Sequence, residues 1–321
     1  MNILITSAGR RVSLVRAFRN EAQKIDKNSK IYTVDVQPGL SSACIISDGS
    51  FEVPMVTHPD YISTVKEICR RNNIVLLIPT IDPELPVLWE HREQLEHSGV
   101  KVVVSKKELI RACQDKRNTV EFFRQKEIPT PQIIEKNDLR YPIYAKPRDG
   151  SSSKNNYIIN DVSELQSYHF TDENLLFFEY LNHDLHDEYT LDLYYDRNSD
   201  LKCVVPRKRI DIRGGEVSKG LTEKNMIVAY IKEKLDHIPG ACGCLTFQLF
   251  LNKENQKISG IEINPRFGGG YPLSYFAGAN FPKWLIREYL LDQAVPYYED
   301  WESNLLMLRY DDEVLVHDYR N

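Results

Sequence analysis

Ile258-Ser259-Gly260-Ile261-Glu262-Ile263-Asn264-Pro265-Arg266 reads as a β-strand that a proline terminates. Residues two apart in a strand share a face, so Glu262 and Asn264 project together, with Ile261 and Ile263 expected on the opposite face. Residues 244–251 read as a partner strand, joined through the polar turn 252–256, and that pairing brings Gln248 beside them. Two amide oxygens and a carboxylate form a donor set suited to magnesium, which keeps waters and shares phosphate oxygens with few protein ligands; manganese is an acceptable substitute. Arg266, just past the strand, is placed to neutralise a transferring phosphoryl group.

Upstream, residues 141–146, 156–160, 175–181, 188–196 and 202–213 alternate as long hairpin-like strands, which makes this half α+β and antiparallel. Lys146 stands at a strand end before a small, hydroxyl-rich loop containing Ser151, Ser152 and Ser153. Such a loop either lays amides and hydroxyls over a polyphosphate or is an ordinary solvated turn. Glu179-Tyr180-Leu181 ends another strand and Glu188 follows; the carboxylates either meet an adenine amino group and ribose hydroxyls or flank a loop as surface acids. His183 and His186, between them, are expected in a solvated loop rather than as a metal pair. Helices are expected at 162–169, 223–235 and 281–292.

The first third differs. Short apolar runs at 2–6, 30–35, 75–80 and 100–105 alternate with helical patterns at 12–25, 61–72 and 83–95, which predicts an open parallel sheet covered on both faces. Ligands in such sheets sit beyond the strand carboxyl ends. There, Gly9-Arg10-Arg11 opens a helix. One glycine does not make a dinucleotide fingerprint, leaving an anionic substrate or a structural turn. A continuous helix is expected over 106–126, with a boundary near 105–115 and divisions at 1–110, 111–181 and 182–321.

Length and composition agree. The 321 residues suffice for about two cores, and 42% hydrophobic with 27% charged residues is ordinary for a globular chain. A net charge of −5 argues against a nucleic-acid-coating protein but leaves small anionic ligands open. Apolar runs are too short to span a bilayer, no leader is read at the N-terminus, and the six scattered cysteines are expected as reduced thiols, with Cys242 and Cys244 alone close enough for a redox or metal role. A cytoplasmic location is expected, and a homodimer is left open.

Lys116, Lys146 with its Gly-Ser loop, Glu179-Tyr180-Leu181, Glu188, Gln248 and Glu262-Ile263-Asn264-Pro265-Arg266 together resemble the ATP-grasp superfamily, and within it stand-alone proteins related to the carbamoyl phosphate synthetase large chain. The likeness covers nearly the whole chain and implies a Rossmann-like domain followed by a two-part ATP-grasp fold. It implies that Lys116 and Lys146 bind ATP phosphates, Glu179 and Leu181 meet adenine and Glu188 meets ribose. Gln248, Glu262 and Asn264 would hold Mg2+ while Arg266 contacts the transferred phosphate.

The implied activity is a carboxylate-amine ligase working through an acyl phosphate on a small carboxylate such as an amino acid or sugar acid. A bicarbonate- or carbamate-phosphorylating enzyme and a silent ATP-binding sensor are the rivals. Arg266, Lys146 and Lys219 form the expected catalytic set. The acceptor region is expected to combine Arg10, Arg11, Asp82 and Glu84 with Arg207, Arg209 and Arg213 on one strand face. Gly268-Gly269-Gly270 reads as a flexible turn near the reacting group.

Overall fold

The computed structural model describes residues 1–149 and 155–319. Five parallel strands come first: β1 (Asn2–Thr6), β2 (Lys30–Asp35), β3 (Gly49–Glu52), β4 (Ile74–Ile78) and β5 (Lys101–Val102), ordered β3-β2-β1-β4-β5. Their near-continuous apolar sequences are what a sheet covered on both faces requires. In β1, Ile3 and Ile5 enter one core while Leu4 enters another, as the two-residue period dictates.

An antiparallel four-stranded sheet follows, built from β6 (Ile133–Ile134), β7 (Ile143–Pro147), β8 (Tyr157–Ile159) and β9 (Leu175–Glu179) in the order β6-β9-β7-β8. The third sheet contains β10 (His186–Tyr195), β11 (Leu201–Arg213), β12 (Glu216–Thr222), β13 (Gly243–Asn252), β14 (Ile258–Asn264) and β15 (Leu306–Leu308), ordered β14-β13-β10-β11-β12-β15. The parallel first sheet and antiparallel later sheets are the expected fold class.

The cores are shared unequally. Ile3, Ile5 and Phe18 belong to the same cluster as Leu191, Phe247 and Trp284, so the parallel sheet is joined to the six-stranded one through the helices Val12–Ile25 and Phe281–Leu290. The four-stranded sheet rests on a small core of its own, Ile143, Ala145, Ile159, Leu175 and Phe177.

Several local expectations are corrected. The helix expected over 106–126 is two helices, Lys107–Gln114 and Lys116–Gln125, because Asp115 adopts an extended backbone (φ −106°) and caps the second by accepting from Arg117 N at 2.9 Å. The helix expected over 83–95 divides at His91 into Glu84–Glu90 and Arg92–His97. Strands β3, β6, β12 and β15 were not expected; the first, second and last span only four, two and three residues, and β12 carries glycine and polar residues with weak strand propensity.

Candidate active site

A cavity of about 510 Å³ opens between the four-stranded and six-stranded sheets, within the range of small-ligand sites. Its floor follows from strand periodicity. Glu188 and Thr190 on β10, and Thr246, Gln248 and Phe250 on β13, are alternate residues that face the same way, and the register sets Thr190 opposite Gln248 and Gln248 opposite Glu262. On β14 and just beyond it, Glu262, Asn264 and Arg266 line the same cavity. Asn264 donates from Nδ2 to Glu262 Oε1 at 2.9 Å, and Arg266 donates from Nη2 to Asn264 Oδ1 at 3.2 Å. The three oxygen donors read from the sequence therefore converge, and they fit a hard divalent cation, which favours carboxylate, carbonyl and water oxygens.

One detail of that strand differs. The β13–β14 pairing shifts register between Gln248 and Leu249, opposing Leu249 to Gly260. This bulge turns Ile261 into the cavity beside Glu262, whereas Ile263 is buried in the core as expected.

The roof comes from β7 and β9. Lys146 and Tyr144, two apart, both reach the cavity, and Lys146 Nζ lies 4.6 Å from the Phe178 ring centroid. Burial pushes the Lys146 ammonium down to about 8, with Glu262 raising it and Lys116 lowering it. Lys116, first residue of its helix, is buried and also lines the cavity. Tyr144 accepts from Asn156 Nδ2 at 2.8 Å, which ties the two ends of the segment containing Ser151, Ser152 and Ser153; those serines lie outside the described residues.

At the hinge, Glu179, Tyr180 and Leu181 line the cavity, with Glu179 N donating to Gln132 O at 2.9 Å. Glu188 is held by Arg209, whose Nε lies 3.3 Å from Oε1; burial pushes the carboxyl upward and Arg209 opposes it. His183 lines the same end, its ring 5.2 Å from that of Phe250. His186 is engaged with Asn182 O and the Asn252 side chain. Among the described residues no cluster of three or more His, Cys, Asp or Glu side chains forms a metal site, and all six cysteines are free thiols.

The basic residues separate more than their spacing suggested. Arg207 lines the cavity but is buried, with Nε and Nη2 at 2.7 and 3.1 Å from the fully buried Asp192, which also accepts from Ser274 Oγ. Its Nη1 abuts the glycine turn so closely that a Cβ at Gly270 would come within 2.2 Å, so the turn's glycine serves close packing. Arg209 faces the cavity. Arg213 does not: the β11–β12 register shifts twice between Arg209 and Ile212, Ile212 takes the cavity face, and Arg213 pairs at the surface with Asp311. Lys219 likewise is absent from the lining and pairs with Asp211 at 3.1 Å, half exposed.

The N-terminal crevice is also sorted. Arg11 lines the cavity, while Arg10 is 86% exposed. Asp82 accepts from Arg266 Nη2 and Nε at 2.6 and 3.0 Å, so it orients that guanidinium. Glu84, expected near substrate, is fully buried, accepting from Thr6, Ser7 and Tyr61 at 2.8, 2.5 and 2.7 Å. Burial pushes its carboxyl upward and it fixes the exit of β1. Sequence reading missed Tyr144, Thr246, Phe250 and Glu216; the first three were marked by their two-residue offsets from Lys146 and Gln248.

Residues 3–103 match the model described as PylC-like, N-terminal domain, and residues 171–311 match ATP-grasp in the biosynthetic pathway with Ter operon. A carbamoyl-phosphate synthase of Methanobrevibacter smithii is 24% identical over 233 residues, 66% of this chain and 62% of that protein, so the chain spans about three fifths of its length. Among solved structures, the biotin carboxylase domain dimer of Hydrogenobacter thermophilus 2-oxoglutarate carboxylase, in complex with MgADP, ADP and bicarbonate, superposes with a TM-score of 0.71 at 13% identity, covering 95% of this chain and 73% of that one. N5-carboxyaminoimidazole synthetase from Staphylococcus aureus complexed with ADP gives 0.68 at 16%, covering 96% and 79%. No helix among the described residues is long and apolar enough to cross a membrane. The family matches and the likeness in sequence and fold make this chain an ATP-grasp protein resembling carbamoyl-phosphate synthase.

Proposed function

We propose that the chain is an ATP-dependent carboxylate-amine ligase that forms an acyl phosphate from a small carboxylate and releases ADP. The observation that carries this reading is the convergence of Gln248, Glu262, Asn264 and Arg266 on one face of the floor, with Lys146 across the same cavity. In the first step a carboxylate oxygen attacks the γ-phosphorus of ATP and the bond to ADP breaks. In the second, an amine nitrogen attacks the acyl carbon, phosphate leaves, and the nitrogen gives up a proton.

Gln248, Glu262 and Asn264 would hold Mg2+, which when bound would supply charge neutralisation for the nucleotide's phosphates. Lys116 and Lys146 are assigned to the phosphates, Glu179, Tyr180 and Leu181 to adenine, and Glu188 to ribose. Arg266, steadied by Asp82, offers its charge where the transferred group carries most of its own. Residues 1–110, 111–181 and 182–321 are assigned as the Rossmann-like domain and the two parts of the ATP-grasp unit.

Trapping with hydroxylamine across a panel of carboxylates tests the reading: a hydroxamate formed only with ATP and magnesium, alongside ADP, identifies the activated acid. Glu262→Ala should lower turnover at least about a hundredfold with its circular dichroism and melting unchanged. Near-normal turnover in that variant would refute the metal assignment. A hydroxamate-free ADP release that depends on bicarbonate would instead favour a bicarbonate-phosphorylating enzyme, to which the likeness to carbamoyl-phosphate synthase also points.

A further inference from the structure

Most guanidiniums along the cavity have a carboxylate. Arg207 has Asp192, Arg209 has Glu188 and Arg266 has Asp82, while Glu216 is engaged by Arg309 at 2.9 Å. Arg11 differs. Its Nη2 donates to Thr80 O at 2.8 Å, and among the described residues no carboxylate oxygen lies within 4.0 Å of it.

The loop that presents Arg11 is firmly held. Gly9, at φ +50°, donates from N to Asp35 Oδ2 at 3.0 Å and accepts through its carbonyl from Ser41 Oγ at 2.7 Å; Arg11 N donates to Ala8 O at 2.9 Å. Burial lowers the Arg11 guanidinium to about 10, and the neighbouring Arg266 charge lowers it further than Glu216 or Asp82 raises it. A cation kept in a cleft beside a second cation, with no anion within contact, is disfavoured until an anion arrives from outside.

Position says which anion. Arg11 donates to Thr80 O, two residues before Asp82, and Asp82 holds Arg266; Lys146, Tyr144 and Glu188 line the same cavity on the Glu262 side, where the Glu262 charge acts on all three. Along the chain from Glu262 through Asn264 to Arg266, Arg11 therefore lies at the Arg266 end, away from the residues assigned to adenine and ribose.

We propose that one of the two substrates carries an anionic group besides its reacting atoms, a carboxylate or a phosphate, and that Arg11 is the residue that recognises it. The naming of a substrate rests on the ligase reading; the anion site does not. The Thr80 contact takes one of the guanidinium's five N–H groups, and the others can donate to either anion. Arg10, 86% exposed, is not in the lining, and its Nη2 lies 4.0 Å from Glu216 at the cavity's edge.

The test uses the full chain with MgADP and, as probes, malonate and inorganic phosphate against acetate at equal ionic strength. Malonate or phosphate should raise the melting temperature of the wild type above acetate, which of the two does so tells carboxylate from phosphate, and Arg11→Gln should abolish the gain. In the hydroxamate assay, acids or amines bearing an extra anion should outperform matched compounds lacking it. Arg11→Gln should raise their KM by about 10- to 100-fold, the loss of one charge-assisted contact, with the KM for ATP unchanged and partial recovery in Arg11→Lys. Equal use of compounds with and without the extra anion, or an unaltered KM in Arg11→Gln, overturns the inference and leaves the ligase reading standing. Absence of ADP from every acid and amine overturns the ligase reading, and the anion-dependent stabilisation then decides the Arg11 site by itself: lost in Arg11→Gln it stands, unchanged it falls.

Discussion

The floor and the roof of the cleft hold their charges in different ways. On the floor, Arg207, Arg209 and Arg266 are each fastened to a carboxylate, and the strands beneath them share one core with the N-terminal parallel sheet. On the roof, Lys146 projects over the Phe178 ring from a sheet whose own core is Ile143, Ala145, Ile159, Leu175 and Phe177. The floor is therefore pre-organised at the cost of desolvating ion pairs, while the roof presents a charge whose natural counter-ion would come with a nucleotide.

That contrast is most directly broken at Asp192. Removing it in Asp192→Ala leaves Arg207 buried without its partner and should cost about 3–5 kcal/mol in urea unfolding. Pairing it with Arg207→Met should return much of that loss, since a buried pair replaced by apolar groups is often neutral. A single variant as stable as the parent would show that the floor does not depend on this pair.

Lys146 sharpens the comparison through pH. The folded ammonium loses its proton near 8, against 10.5 ordinarily, so between those values the unfolded chain binds more protons. Its unfavourable contribution to stability is full below about 8 and fades as pH rises through that window, so stability from this group increases with pH there. Nucleotide affinity should run the other way, because phosphates favour the charged lysine. ADP binding measured from pH 7 to 9 should weaken, and Lys146→Met should flatten the profile; a parallel decline in that variant would assign the pH dependence elsewhere.

The smallest effect is expected at Arg213, which pairs with Asp311 at an exposed surface, where ion pairs contribute little. Arg213→Ala should leave both the melting temperature and turnover unchanged. A loss of turnover would restore it to the substrate-binding set and show that the strand bends differently when ligand is bound.

Much of the floor was readable from local periodicity. Glu262 and Asn264, two apart on a proline-ended strand, and Gln248 across a polar turn needed only the strand period and a hairpin to be brought together. What failed was reading beyond an irregularity. A bulge shifts the pattern by one residue, so Arg213 exchanged faces with Ile212, and Ile261 turned inward beside Glu262. Lys219 failed differently, since its charge found Asp211 across the neighbouring strand.

From residue order alone came the parallel sheet, the antiparallel hairpins and the oxygen donors on one strand face, because those depend on spacing and side-chain chemistry within a few positions. Tertiary structure alone decided that Glu84 is buried under Thr6, Ser7 and Tyr61, that Asp82 reaches Arg266 across 184 positions, and that Arg11 lines the cleft while Arg10 stays exposed at its edge. Which charges meet a partner, and which are left for a ligand, is set by contacts between distant segments that no local pattern encodes.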